Sequence, residues 1–197
     1  MVYTLFLDIP NPAAARTRVD ADPTIGNSRP DSAPHIYAWP EVRAGVARLA
    51  AHGLALDAWC YRPQLADVIA LARAVPQATI VMCHVGGVLG YGAYAGKKDE
   101  VHAAWRANMA ELATCPNVSV KLGGMLNRGA ALNFRELPAP PNSAAWSAAW
   151  RPYVEPCIEL FGAERCKCRR TDVLLLFNSD AKFRVRNEPN SQDHMRL

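Results

Sequence analysis

The chain has 197 residues, a net charge of +4 and 50% apolar residues, a composition that suits one globular core. Its opening, MVYTLFLDIP, is too short for a secretory apolar region and is broken by Asp8 and Pro10, so we expect neither a secretion signal nor a membrane span. Six scattered cysteines do not make a disulfide scaffold, and we expect buried thiols in a reducing, cytoplasmic compartment.

The first regular element is predicted to begin at Pro40. Residues 1–39 show no sustained periodicity apart from the apolar run Val2 to Ile9, and we predict an irregular N-terminal segment there. From Pro40, apolar residues recur at helical spacing until Gly53, which is a typical stop signal. Leu54 to Cys60 is then predicted to form a strand.

Two further units of strand and helix follow. Pro63 predicts the start of a helix that ends before Pro76, and Thr79 to Cys83 is a continuous apolar run typical of a buried parallel strand. Asp99 is expected to cap the next helix, which places Trp105 and Met109 in the core and leaves His102 solvated.

The last predicted elements are a strand and a long helical stretch. Pro116 and Asn117 end the preceding helix, and Val118 to Leu122 predict a third strand. From Trp146 to Phe161 the pattern is helical. Pro152 can begin a new helix there, whereas Pro156 costs about 3 kcal/mol if the helix is continuous. The alternation of strands and helices predicts an α/β fold with a parallel sheet.

The organising stretch is Thr79 to Gly92, in which the apolar strand is followed by His84 and a glycine-rich turn. The carboxyl ends of parallel strands are where α/β proteins bind ligands. His84 is either a strand-end imidazole satisfied by backbone, or a metal ligand or acid/base group. Gly86, Gly87, Gly90 and Gly92 favour the second interpretation, since glycines let backbone pass close to a ligand. Neither nucleotide-binding glycine motif is present.

Four segments of the sequence carry a family resemblance: LDAWCYRPQL, TIVMCHVGGVLGYGAYAGKKDEV, CPNVSVKLGGM and WRPYVEPCIELFGAERC. In this order they resemble the amidohydrolase-related hydrolases (amidohydrolase family 2), a group that includes lactonases and dicarboxylate lactone hydrolases. A weaker similarity to the same family extends from Val19 to Tyr37. The resemblance implies a (β/α)8 TIM barrel that hydrolyses a lactone, amide or related carbonyl substrate at the top of the barrel.

The resemblance also implies the site residues. His84 matches the active-site histidine of the family, as a catalytic group and as a metal ligand if other ligands exist. The expected substrate-binding residues are Tyr61, Gln64 and Lys121, which match family segments that line the active site at the top of the barrel. Relatives often have histidine where this chain has Arg62. The resemblance allows two alternatives equally: the site binds a divalent metal, zinc or manganese, or it has no cofactor.

Two family features are missing from the sequence. No two histidines lie two residues apart, and the segment after GAERC lacks the strand that ends in aspartate in relatives. A full barrel takes about 250 residues. We therefore expect a partial (β/α)8 barrel of three to four β/α units in residues 40–166, truncated at its start, followed by a basic, divergent tail in residues 167–197 that we expect to be disordered.

Two functions are weighed from the sequence. The first is a hydrolase whose activity is impaired by the missing motifs. The alternative is a non-catalytic remnant or interaction module, which would form a homo-oligomer through uncovered barrel edges. The basic tail contains few aromatic residues, so we expect no nucleic-acid partner and no membrane partner, only a small-molecule substrate.

Overall fold

The structure is a computed structural model that describes residues 35–124 and 141–167. The expectations for the N-terminal segment up to residue 34, for residues 125–140 and for the tail after Lys167 lie outside the described residues. The regular elements of the described part are α1 (Pro40–Ala51), β1 (Ala55–Ala58), α2 (Leu65–Ala74), β2 (Thr79–Met82), α3 (His84–Gly87), α4 (Lys98–Ala113), β3 (Val118–Lys121), α5 (Ser143–Phe161) and β4 (Cys166–Lys167).

The four strands form one parallel sheet in the order β1-β2-β3-β4. Each pair of consecutive strands is connected through a helix, so every connection is a β/α crossover. The spatial order follows the chain order without a reversal, which is the arrangement of a barrel segment. The predicted α/β class and three to four β/α units are thus confirmed.

The two faces of the sheet differ in chemistry because successive strand residues point to opposite sides. One face packs against the helices in a single apolar core. Ile80, Met82, Val118 and Val120 are fully buried there, together with Trp105 and Met109 of α4, as the helical pattern predicts. The opposite face carries Asp57 in register with Val81, which is in turn in register with Ser119. In a barrel this second face is the interior.

The core also includes residues that precede α1. Ile36 and Tyr37 form a short turn, Ile36–Ala38, and both are buried in the same core. The Tyr37 hydroxyl donates a hydrogen bond to the Trp59 carbonyl (3.0 Å) and accepts one from the Trp59 N–H (3.1 Å). Tyr37 therefore fixes the backbone where the chain leaves β1.

Some element boundaries differ from the sequence expectation. The strands are one to three residues shorter than predicted, and a 3₁₀ turn, Arg62–Gln64, precedes α2. The expected cap, Asp99, lies instead within the first turn of α4, beside Glu100, and Lys97 precedes the helix. Carboxylates in that first turn stabilise the positive end of the helix dipole, which explains the acidic start without a capping side chain.

Helix α5 is continuous and contains both Pro152 and Pro156, so Pro152 does not begin a new helix. Pro156 has no N–H, and the carbonyl of Pro152, four residues earlier, therefore lacks its helical donor. His102 of α4 supplies the donor, because its Nε2 lies 2.9 Å from that carbonyl oxygen. His102 is half-buried against the rings of Trp105 and Tyr153, which corrects the expectation that it is solvated.

Two polar side chains bind carbonyl oxygens at the ends of helices. Asn117 Nδ2 donates to the Ala72 and Ala78 carbonyls at 3.2 and 3.0 Å, and so ties the start of β3 to the end of α2. Arg165 donates to the carbonyl of Ala113, the last residue of α4, and to that of Cys115. The bonds to Ala72 and Ala113 satisfy carbonyls that a helix end leaves without donors. Among the described residues, no helix is long and apolar enough to cross a membrane.

Candidate active site

Three strand ends meet at the carboxyl edge of the sheet. The chain leaves β1 at Trp59, β2 at Cys83 and β3 at Leu122. Because the strands are parallel, these ends lie side by side. This edge therefore gathers His84, Lys121 and the loop that contains Tyr61 and Gln64, which are the residues predicted as the site.

The short element α3, His84–Gly87, is a left-handed turn rather than a regular α-helix, because all four of its residues have positive φ angles. The φ angles are 54° at His84, 47° at Val85, 74° at Gly86 and 60° at Gly87. A non-glycine residue in this region costs roughly 1–2 kcal/mol, and a β-branched residue such as Val85 is rarely found there. Backbone strain of this kind clusters at functional sites.

The surrounding core holds this turn in place. The indole N–H of Trp105 donates to the Val85 carbonyl at 2.7 Å. A Cβ at Gly86 would lie 2.8 Å from the sulfur of Met109, and a Cβ at Gly87 would collide with the Cys60 carbonyl. At both positions the space that a side chain would need is filled by the protein itself, so packing alone requires glycine there. The expectation that these glycines let backbone pass close to a ligand stays a prediction.

The His84 ring lies between the ends of two strands. It is half-buried, and a Cβ at Gly124, which follows β3, would fall on its Nδ1 and neighbouring ring atoms. The ring of Trp59, which follows β1, stands edge-on to it at 6.2 Å between centroids. The imidazole is therefore confined in orientation, as an acid/base group needs to be.

Lys121 forms an ion pair that crosses the sheet. Its Nζ lies 2.6 Å from Oδ2 of Asp57, and the two side chains are 39% and 22% exposed. Asp57 belongs to β1 and Lys121 to β3, so the pair spans β2 on the inner face. Asp57 was missed as a site residue in the sequence, although an acidic residue within the apolar run Leu54 to Cys60 was a usable signal.

Cys83 lies beside this ion pair, and its side chain is buried. Burial raises the pKa of its thiol to about 12, and the Lys121 ammonium and the Asp57 carboxylate then shift it in opposite directions. A thiol with such a pKa stays protonated near neutral pH and reacts slowly. The five described cysteines are all buried and free, as predicted; Cys168 lies outside the described residues.

Tyr61 and Gln64 stabilise the loop after β1. Gln64 is only 5% exposed, and its Oε1 accepts a hydrogen bond from the Tyr61 N–H at 3.0 Å. The Tyr61 ring packs edge-on against Trp59, with centroids 4.8 Å apart. Arg62 turns toward the ring of Tyr94, 5.3 Å away. Substrate binding by Tyr61 and Gln64 stays a prediction.

The described residues do not by themselves fit a metal ion. In residues 35–124 and 141–167, no group of three His, Cys, Asp or Glu side chains is placed to hold one. A catalytic zinc ion needs three protein ligands. His84 would supply one of them, while the Asp57 carboxylate is bound to the Lys121 ammonium.

The sequence is similar to known proteins over most of its length. The amidohydrolase family profile (Amidohydro_2) matches residues 17–166. The uncharacterized protein y4mH of Sinorhizobium fredii is 34% identical over 133 residues, which make up 67% of this chain and 38% of y4mH.

Two crystal structures of an amidohydrolase from Burkholderia multivorans share the fold. One contains HEPES and superposes with a TM-score of 0.56 at 24% identity, covering 71% of this chain and 46% of its own. The other contains zinc, with a TM-score of 0.55 and 23% identity, covering 71% and 45%. The chain thus spans less than half the length of these relatives.

The fold and the family profile support the same assignment. The parallel sheet in chain order is part of a (β/α)8 barrel, as the solved amidohydrolases show. The family profile covers most of the chain, including β1, β2 and β3 and the first residue of β4. This protein therefore belongs to the amidohydrolase family.

Proposed function

We propose that the chain contributes the active site of a hydrolase that cleaves a lactone, amide or related carbonyl compound. The observation that carries the proposal is the position of His84 and Lys121 at the carboxyl ends of two neighbouring strands, β2 and β3. An imidazole can act as the general base of acyl hydrolysis, and an ammonium can stabilise the oxyanion that forms. The sequence resemblance to lactonases supports a lactone as the first substrate class to test.

Each residue has a distinct role in this proposal. The Lys121 ammonium donates a hydrogen bond to the carbonyl oxygen of the substrate and stabilises the negative charge that develops there when water adds to the carbonyl carbon. His84 accepts a proton from the attacking water. It then returns the proton to the leaving oxygen or nitrogen as the carbon–heteroatom bond breaks. A lactone gives a single hydroxy acid, and an open-chain amide gives a carboxylic acid and an amine.

A metal-dependent form of the reaction would need ligands beyond those described. A divalent metal, if such ligands were supplied, would contribute Lewis-acid activation. His84 is the described residue that would bind it, and Lys121 would keep the same role toward the carbonyl oxygen. Both forms therefore depend on the same two side chains.

The test is hydrolysis of a panel of lactones, esters and amides by the full chain. Lactone and ester hydrolysis is followed by pH-stat titration of the acid released, and amide hydrolysis by an assay of the amine released. Parallel samples contain a chelator, added zinc or added manganese. We expect turnover of at least one lactone or amide above the uncatalysed rate. Absence of turnover in every sample, with a folded protein by circular dichroism, would contradict the proposal.

The second candidate function is that of a non-catalytic interaction module. It is favoured by the open sheet: among the described residues, β1 and β4 each have a strand on one side only. Unpaired strand edges favour association with another chain. Light scattering tests this candidate, since it predicts a dimer that persists on dilution and an inactive chain. A monomer across the concentration range would contradict it.

A further inference from the structure

The Asp57 carboxylate is placed where it can control the position of the Lys121 ammonium, which is one of the two proposed catalytic groups. Asp57 is in register with Val81, Val81 with Ser119, and Lys121 follows two residues later on the same face. The side chains therefore meet above β2, just before the chain reaches Cys83 and His84. Cys83 directly follows β2, so the pair lies beside the strand that leads to His84.

The lysine of this pair keeps donors for a second partner. An ammonium has three N–H donors. Within the part of the chain that the structure describes, Lys121 makes one side-chain hydrogen bond, to Asp57. Its side chain is 39% exposed, whereas that of Asp57 is 22% exposed. The carboxylate thus lies deeper in the sheet and the ammonium lies nearer the open side.

We propose that Asp57 is a positioning residue, which holds the Lys121 ammonium over β2 so that its remaining donors face the carbonyl oxygen of the substrate. The proposal rests on the proposed hydrolase function and deepens it. A lysine side chain has four rotatable bonds, so an unrestrained ammonium seldom occupies one position. A charge-assisted hydrogen bond to a fixed strand carboxylate removes that freedom before the substrate arrives.

The test is a double-mutant cycle on hydrolysis. Lys121→Met removes the donor and should lower kcat on the order of 100-fold to 1000-fold. Asp57→Asn keeps the shape of the side chain but weakens its hold on the ammonium, and should lower kcat on the order of 10-fold to 100-fold with little change in KM. Asp57→Glu should recover part of this loss.

The decisive comparison is Asp57→Asn in the Lys121→Met background. If Asp57 acts through Lys121, the second substitution has no further effect on kcat. If Asp57→Asn lowers kcat by the same factor in both backgrounds, Asp57 acts independently of Lys121 and the inference is wrong. Circular dichroism of each variant establishes that it is folded.

A second measurement does not depend on activity. Acetylation of Lys121 by an N-hydroxysuccinimide ester is followed by mass spectrometry, with the exposed Lys97 and Lys98 as references in the same molecule. We expect Asp57→Asn to raise labelling of Lys121 relative to the references, because the ammonium is released. Unchanged relative labelling would overturn the inference.

The two measurements separate the two proposals. Wild-type turnover with unchanged labelling, or with equal effects of Asp57→Asn in both backgrounds, overturns the positioning role alone. A labelling change without any wild-type turnover overturns the hydrolase function and, with it, the role of Asp57 in that function.

Discussion

The conformation of His84 is determined by its neighbours more than by its own backbone preference. His84 begins four left-handed residues, of which two are not glycine, and its ring rests against Gly124 at the end of the adjacent strand. The Trp105 indole fixes the middle of this turn through the Val85 carbonyl. The orientation of the imidazole thus depends on contacts from β3 and α4, and these contacts can be tested one at a time.

Gly124→Ala should displace the His84 ring and abolish most hydrolysis. Gly96→Ala is the matched control, because Gly124 and Gly96 have similar φ angles of 70° and 75°, but a Cβ at Gly96 meets no atom within 4 Å. Both variants should lose roughly 1–2 kcal/mol of stability from the left-handed backbone. Only Gly124→Ala should lower kcat strongly. Equal activity of the two variants would show that the ring contact has no catalytic role.

The sequence predicts some of these residues and misses others for physical reasons. The position of His84 follows from the apolar run before it, since a buried strand has to end near a turn. The ion pair of Asp57 and Lys121 joins residues 64 positions apart. Strand register determines which charged side chains meet across a sheet. Register depends on long-range contacts, which cannot be read from a single sequence.

Helices α4 and α5 show how an element adapts to an unfavourable residue. The helical pattern from Trp146 to Phe161 is strong enough to predict α5, but Pro152 and Pro156 leave its continuity open. Continuity comes from packing: α5 buries Trp150, Tyr153 and Phe161, and His102 of α4 donates to the carbonyl that Pro156 leaves without a helical donor. No local sequence pattern in either helix predicts that hydrogen bond, because it joins residues 50 positions apart.

His102→Ala should lower the free energy of unfolding by about 1 kcal/mol, since the Pro152 carbonyl loses its donor. The control is the same substitution in a Pro156→Ala background, where residue 156 regains an N–H that can bond the Pro152 carbonyl. Urea unfolding of the four proteins gives the coupling. We expect a smaller cost of His102→Ala when residue 156 is alanine. The same cost in both backgrounds would show that the hydrogen bond does not contribute.

Across the whole molecule, buried thiols link stability to alkaline pH. Burial raises the pKa of Cys83 to about 12 and that of Cys166 to about 11, from an ordinary 9.0, and it raises those of Cys60 and Cys157 further. Below pH 9 these thiols are protonated in both the folded and the unfolded chain. Above pH 9 the unfolded chain releases the protons more readily, so the stabilisation present at lower pH is lost as the pH rises.

We therefore expect the free energy of unfolding to fall between pH 9 and pH 11, by at most about 1.4 kcal/mol per pH unit for each buried thiol. Urea unfolding at half-unit steps from pH 7 to 11 measures the fall. A Cys83→Ala variant should show a shallower fall, because one of the buried thiols is absent. Constant stability from pH 9 to 11 would contradict this expectation.

The architecture of the molecule follows from its sequence more completely than its site does. Alternating apolar strands and amphipathic helices leave a parallel sheet as the consistent arrangement, and the structure has that sheet with strands in chain order. The site depends on the residues that follow each strand, where φ angles and side-chain contacts are decided by the neighbouring strand. Prediction from sequence is therefore strongest inside the strands and weakest at their carboxyl ends.

The central claim is that His84 carries the chemistry of a carbonyl hydrolase, and the most direct measurement is the hydrolysis rate of His84→Asn beside that of His52→Asn. His52 is exposed at the end of α1, away from the carboxyl edge of the sheet. We expect His84→Asn to lose on the order of 100-fold to 10,000-fold in kcat with its fold intact, and His52→Asn to retain the wild-type rate. Equal rates for the two variants would contradict the account.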